Sequence, residues 1–455
     1  MLNDLNPQQQ EAARHIDGPL LVLAGAGSGK TRVITRKIAY LIEQCGIPAK
    51  NIAAVTFTNK AAREMKTRVS ELMASRQNSA AARGLMVSTF HTLGLNILRR
   101  EYKSLGYRSG FSIFDAQDSL VVLRDLMGRD FAADSEHAEQ VQWQISEWKN
   151  QLILPDKAMQ IAEAGTQMAA AKVYPLYTDA LQAYNAVDFD DLILKPVVLF
   201  RENPEVLKKW QARIHYLLVD EYQDTNGCQY ELVKQLVGIR EALTVVGDDD
   251  QSVYSWRGAR PENLAQLQTD YPRLKLIKLE QNYRSMSRIL RVANTLIRNN
   301  PHVFEKQLWS ALGEGDPIRV IGCRDDDHES EKVVSELLYH KLKHQASFKD
   351  YAILYRSNHQ SRPIERVLRE HNVPYFLTGG TSFFSRIEVK DIMAYLRLLA
   401  NQDDDNAFLR VINTPRRGIG SSTLQALGNY ATERTTSLFG ACFEMGQDAK
   451  LPEQA

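Results

Sequence analysis

The sequence predicts an α/β protein built on a parallel sheet that carries a phosphate-binding loop at one strand end. Three observations lead there. An apolar run, Leu20 to Ala24, empties into Gly25-Ala26-Gly27-Ser28-Gly29-Lys30-Thr31 and reads as strand, phosphate loop and helix. A second apolar run, Tyr216 to Val219, ends directly in two carboxylates, Asp220 and Glu221. Strand, polar turn and basic helix then recur, as in Ile52 to Phe57 followed by Thr58 to Val69, which is the grammar of a parallel sheet.

The loop fits the pattern of a small residue, four positions and Gly29-Lys30-Thr31, with Ala24 where the strict form has glycine. Glycines let successive backbone N–H groups turn inward around phosphate oxygens, Lys30 adds a point charge, and the Thr31 hydroxyl is a ligand for Mg²⁺. The helix that begins near Thr31 points its positive end at the same anion. A Gly-rich strand-to-helix turn is also a common structural device, and the carboxylate pair is what separates the two readings. Asp220 is suited to Mg²⁺ and Glu221 to orienting or deprotonating water. ATP and Mg²⁺ are the ligands this combination implies.

A chain of 455 residues exceeds what one core normally supports, so two to four domains are expected. Lys plus Arg number 56 against 55 Asp plus Glu, a net charge of +1, so any nucleic-acid surface must be local. Cys45, Cys228, Cys323 and Cys442 stand too far apart for a zinc or disulfide pattern and read as buried free thiols. The N-terminus lacks a basic region followed by a long apolar core, and no stretch has the length of a membrane span, so a cytoplasmic protein without a membrane partner is expected.

Along the chain, Asn6 and Pro7 mark a helix start, and Gln9 on it either reads adenine or is ordinary surface. Val33 to Ile42 has helical spacing. Phe57 at its strand end is either core or a base-stacking platform, and Leu85 to Leu93 repeats the arrangement with Ser88, Thr89 and His91. From Leu98 to about Leu207 strand signals are sparse, and a helical insertion is expected whose aromatics, Trp143 and Trp148 among them, read as core. Val187 to Leu192 reads as an acidic helix start with Asp188 as cap. The strand Leu243 to Gly247 opens the richest stretch, in which Gln251, Tyr254, Trp256 and Arg257 offer phosphate sensing and base stacking together. After Leu274 to Leu279, Arg284 either makes a salt bridge or neutralises a transferring phosphoryl group. A second αβ unit is expected, with strands at 318–321, 351–356 and 373–377 and helices at 326–339 and 362–370. Beyond Glu388 the chain reads as helical.

These runs, in this order, resemble the superfamily 1 DNA helicases of the Rep, UvrD and PcrA type. The matching segments are Leu5 to Ala13, Ala24 to Arg32, Ala54 to Arg68, Ser88 to Gly94, Leu217 to Asn226, Val245 to Ala259, Leu279 to Ser285, Gly379 to Phe384 and Asn413 to Pro415. The resemblance implies that Gln9 and Tyr283 meet adenine and that Ala24 to Thr31 hold phosphates, with Thr31 and Asp220 on the metal. It implies that Glu221 activates water, Gln251 senses the γ phosphate, Arg284 is an arginine finger, and Arg32 and Arg257 lie nearby. For DNA it implies base contacts from Phe57, Tyr254 and Trp256, with Thr58, Asn59, Thr89 and His91 along the phosphates.

The implied architecture is a RecA-like P-loop domain (1–89 and 208–278) interrupted by a helical insertion (90–207). An incomplete second RecA-like domain (279–377) and the start of a helical accessory domain (378–455) follow. On that architecture the chain reads as an N-terminal fragment whose own motor activity would be small. The implied function is ATP-dependent 3′ to 5′ translocation on single-stranded DNA and unwinding of 3′-tailed duplexes. Replication or repair proteins and self-association are the further partners. A nucleotide- and DNA-binding module without turnover, and a P-loop ATPase acting on RNA or protein, are the rival readings.

Overall fold

The structure is a computed structural model that describes residues 2–75, 79–128, 135–254, 258–300, 304–378 and 383–445. Trp256, Arg257 and the stretch 379–382 lie outside the described residues. The chain divides into two compact units, Met1–Gly315 with Ala394–Ala455, and Asp316–Met393.

The first unit is organised on a six-stranded sheet. Its strands are β1 (Leu20–Ala24), β2 (Ile52–Thr56), β3 (Met86–Thr89), β6 (Tyr216–Val219), β7 (Leu243–Gly247) and β8 (Lys275–Leu279). Their spatial order is β3-β2-β6-β7-β1-β8, and every pairing is parallel. Alternate residues of one strand serve opposite faces: Leu21, Val55, Leu217 and Val245 enter one core, while Leu20, Val22, Ala54 and Leu218 enter the other. Burial on both faces is why these strands read as continuous apolar runs. Because all six are parallel, their C-terminal ends share one edge, where ligands of such sheets bind.

Helix α1 (Pro7–Arg14) starts as the sequence predicts, with the Asn6 side chain accepting from the Gln9 N–H and Pro7 in the first turn. Its far end is tied to α2 (Lys30–Glu43), where the buried Lys37 ammonium donates to the carbonyls of Ala12 and His15. Burial pushes the Lys37 pKa down to about 7. Helix α3 (Asn59–Ala74) follows β2, and α4 (Phe90–Glu101) follows β3.

The insertion is helical, with helices at Ala116–Met127, Ser135–Asn150, Pro155–Ile161 and Thr166–Ala183. It also carries a short parallel pair that the sequence reading missed, β4 (Ser112–Phe114) with β5 (Ala186–Asp188). Val187-Asp188 is therefore strand, not helix start, and the following helix, Asp191–Glu202, begins three residues later. Asp188 still accepts the Asp191 N–H at 2.8 Å, so its capping chemistry is present although its backbone is extended. Residues from 394 onward share the insertion's core: Phe408, Leu427, Tyr430 and Leu438 pack with Leu123, Trp148 and Tyr177.

In the second unit the expected helices form, as Asp326–His344 and Ser361–Glu370, around Val334, Val367, Leu368 and Val373. The three strands expected at 318–321, 351–356 and 373–377 do not: among the described residues no ladder joins them. A helix closes its hydrogen bonds within itself, whereas a strand needs a neighbour in register, so an apolar pattern specifies extended backbone without specifying a sheet. The cysteine expectation is also corrected, since only Cys228 is buried, Cys45 is intermediate and Cys323 and Cys442 are exposed.

Candidate nucleotide and DNA site

The strand order divides the working edge in two. The ends of β7, β1 and β8 carry the phosphate loop and its partners, and those of β3, β2 and β6 carry the first carboxylates and aromatics.

At the loop, Gly27 and Gly29 have φ of 72° and 92°, the left-handed region that lets consecutive N–H groups turn to one side. The Ser28 hydroxyl closes the turn by donating to the Gly25 carbonyl at 2.7 Å. Lys30, at the start of α2, donates to Glu221 Oε2 at 2.6 Å and to Gln251 Oε1 at 3.3 Å. Gln223 completes the group: its Nε2 donates to Glu221 Oε2 at 3.0 Å and its Oε1 accepts the Asp248 N–H at 3.0 Å. Four predicted residues, Lys30, Asp220, Glu221 and Gln251, thus meet at the ends of three strands.

Asp220 is 5% exposed. Burial, with the neighbouring Glu221 adding to it and Lys30 opposing it, pushes its pKa up to about 7. A lone buried carboxylate beside another is costly, and a divalent cation is what would relieve it. The donor set at this strand end therefore fits Mg²⁺, with Thr31 half-buried at the start of α2.

The residues expected beside a nucleotide base also assemble. Tyr283 donates its N–H to the Gly27 carbonyl at 2.9 Å and its hydroxyl to Gln281 Oε1, and it accepts from Asn6 Nδ2. Gln9 is buried, with Nε2 donating to the Ser28 carbonyl at 2.8 Å and Oε1 accepting the Asn6 N–H. Half of its amide capacity therefore braces the phosphate loop. Arg284 lies against Gly27, where an added Cβ would come within 2.8 Å of its own Cβ. Its guanidinium makes no ion pair among the described residues. Arg32 instead pairs with Asp4 at 2.6 Å.

On the other half of the edge a cleft of about 560 Å³ gathers Phe57, Thr58, His91 and Tyr254. The Phe57 and Tyr254 rings are nearly parallel, 9° apart in plane and 6.1 Å between centroids. His91 meets Phe189 edge-on, and burial lowers its pKa, so its ring is neutral at pH 7. Thr58 and Thr89 use their hydroxyls as helix caps, accepting from the N–H of Ala61 and Thr92. Asn59 and Thr89 do not line the cleft.

Two further aromatic residues line this cleft, Trp143 and Phe189; both come from the insertion, whose aromatics the sequence reads as core. Trp143 is 59% exposed and Phe189 50%. The signal for Trp143 was present: Ala138, Val141, Ile145 and Trp148 form the buried stripe of its helix, and Trp143 falls outside that phase. Phe189 lies in sequence between Asp188 and Asp191, which pair with the buried Lys149 at 2.7 Å and 2.9 Å. The Tyr177 hydroxyl donates to the same Asp188.

The model of the UvrD/REP helicase N-terminal domain matches residues 5–272, and that of the UvrD-like helicase C-terminal domain matches residues 277–444. The chain belongs to the UvrD/REP helicase family. It is 57% identical over 98% of its length to ATP-dependent DNA helicase Rep of Escherichia coli, of which the match covers 66%. A Rep of Buchnera aphidicola subsp. Baizongia pistaciae is 45% identical over 98% of the chain and 66% of that relative. ATP-dependent DNA helicase PcrA of Staphylococcus aureus is 42% identical over 98% of the chain and 60% of that relative. The chain thus spans just under two thirds of the length of these UvrD/REP relatives. Because it matches both the N-terminal and the C-terminal family models, the reading of it as an N-terminal fragment is not borne out.

Proposed function

We propose that this protein couples ATP hydrolysis to movement along single-stranded DNA, and that it unwinds 3′-tailed duplexes by moving 3′ to 5′. The observation that carries the reading is the loop after β7. Gln251 at its start touches Lys30 of the phosphate loop, and Tyr254, three residues on, faces Phe57 in the aromatic cleft. A displacement of this loop at the phosphates is therefore a displacement at the bases.

In this reading Lys30, Thr31 and the loop N–H groups hold the phosphates, Asp220 and Thr31 hold Mg²⁺, and Tyr283 with Gln9 flanks the base. Bound Mg²⁺ would neutralise phosphate charge. Lys30 now satisfies Glu221; once Lys30 turns to a phosphate, the Glu221 carboxylate is free to take a proton from water. Arg284, beside Gly27 and without an ion pair among the described residues, is a cation available to the same phosphates. Phe57, Tyr254, Phe189 and Trp143 grip bases by stacking, which every base permits, so binding is sequence-tolerant. The role of Trp256 and Arg257 in the same loop belongs to this proposal too. Replication or repair proteins and a second copy of the chain are its further partners.

Unwinding of matched 3′-tailed and 5′-tailed duplexes under Mg·ATP tests the reading. Unwinding of the 3′-tailed substrate alone is expected, and equal rates on both would overturn the polarity.

A further inference from the structure

We infer that Lys306 is a positioning residue of the nucleotide site: its ammonium is a counter-cation of the Asp248–Asp250 turn and fixes Gln251 against Lys30. The inference rests on the nucleotide-site reading above and adds a residue from outside every motif that reading used.

Asp248, Asp249 and Asp250 place one carboxylate oxygen each within 4.8 Å of the others. Three like charges that close repel unless a cation sits among them, and such a set is otherwise a divalent-metal arrangement. Here the Lys306 side chain, 6% exposed, reaches all three, contacting Asp248 Oδ1, Asp249 Oδ1 and, at 3.0 Å, Asp250 Oδ2. Burial disfavours the ammonium, but Asp248 first and then its neighbours outweigh it and raise the Lys306 pKa.

The consequence reaches the site through one carboxylate. With Oδ1 of Asp248 taken by Lys306 and by the Asp250 N–H at 3.2 Å, Oδ2 accepts from Gln251 Nε2. That bond turns the Gln251 carbonyl oxygen toward Lys30, 3.3 Å away. The flipped amide would set an NH₂ group against the ammonium. Lys306 is itself on a strap clamped at both ends. The Phe304 N–H donates to Asp249 Oδ2 at 3.2 Å, and Trp309 exchanges backbone bonds with Glu280 and Asn282 at 3.0 and 2.8 Å. Between them Leu308 lies over Gly25, where an added Cβ would approach it to 2.3 Å. One short segment thus touches both the phosphate loop and the turn that carries Gln251.

The test compares wild type, Lys306→Met and Lys306→Arg in ATP hydrolysis at saturating single-stranded DNA, with melting temperature followed in parallel. Lys306→Met is expected to lose roughly tenfold or more in kcat while KM for ATP stays within about threefold, and Lys306→Arg to recover most of the loss. A kcat within about twofold of wild type overturns the proposal. So does a loss in which kcat, KM and melting temperature move together without rescue by Arg, since that is a folding defect. If Lys306→Met does not fold, Asp249→Asn/Lys306→Met, which removes one carboxylate with the cation, carries the same comparison. If wild type itself turns over no ATP, the site reading fails, and Mn²⁺ titration followed by electron paramagnetic resonance decides Lys306 alone. A Mn²⁺ site gained in Lys306→Met but absent from wild type supports the counter-cation role, and no gain overturns it.

Discussion

Replacing Asp220 with Asn should make the protein more stable and less active, by an amount the geometry sets. The Asp220 carboxyl ends β6 with 5% exposure, and its pKa stands at about 7 against 3.8 for the ordinary group. That gap is worth about 4 kcal/mol at 1.36 kcal/mol per unit. The folded state holds a proton that the unfolded chain sheds from about pH 4, so stability falls as pH rises from there to about 7 and stays low above it. Asn carries no charge yet keeps an oxygen for the Glu221 N–H, which Asp220 Oδ1 accepts at 3.1 Å. Urea unfolding with chelator and no nucleotide is the assay. Asp220→Asn is expected to gain about 4 kcal/mol over wild type at pH 8 and only about 1–2 kcal/mol at pH 5, while losing Mg²⁺-dependent turnover. A variant no more stable than wild type at pH 8, or a gain equal at both pH values, would refute the burial argument.

Trp143→Ala should weaken single-stranded DNA binding by about 1–3 kcal/mol, whatever the base sequence, with the melting temperature unchanged because the ring is exposed. Fluorescence anisotropy with oligo-dT and a mixed sequence checks this, and normal binding would remove Trp143 from the cleft's function. Lys30→Ala should leave the sheet folded but bind a fluorescent ATP analogue at least about tenfold more weakly, because the phosphate point charge is gone. Near-normal affinity would count against the loop assignment. Gly94→Ala should destabilise by about 3 kcal/mol or more, since the new Cβ would stand 1.8 Å from the Leu192 carbonyl oxygen where two helices touch backbone to backbone. A melting temperature equal to wild type would show that this contact can open freely.

What could be read from the sequence was what is encoded locally. The Gly25–Lys30 turn between strand and helix, the strand that ends at Asp220-Glu221 and the Asn6 cap each need only neighbouring residues, and the helix, strand and cap form where the sequence places them. The Lys30–Glu221 contact was not legible, although parallel strands presenting one edge bring the two strand ends together. Phe57 alone could not be assigned, because its meaning comes from Tyr254, delivered by a strand two places away in the sheet. Trp143 was readable by helical phase, whereas Lys306 was not: nothing near it in sequence announces three carboxylates from another strand end. That no ladder joins the expected strands among the described residues of 316–393 marks the same limit, since apolar alternation sets backbone shape but not the neighbour that must pair with it.

Whether one loop joins phosphate and base is decided by ATP turnover as single-stranded DNA is added, in wild type and Glu221→Gln. DNA is expected to raise wild-type kcat by about tenfold or more, and Glu221→Gln to bind Mg·ATP and DNA normally but turn over at a small fraction of that rate. Turnover indifferent to DNA, or a Glu221→Gln rate equal to wild type, would contradict it.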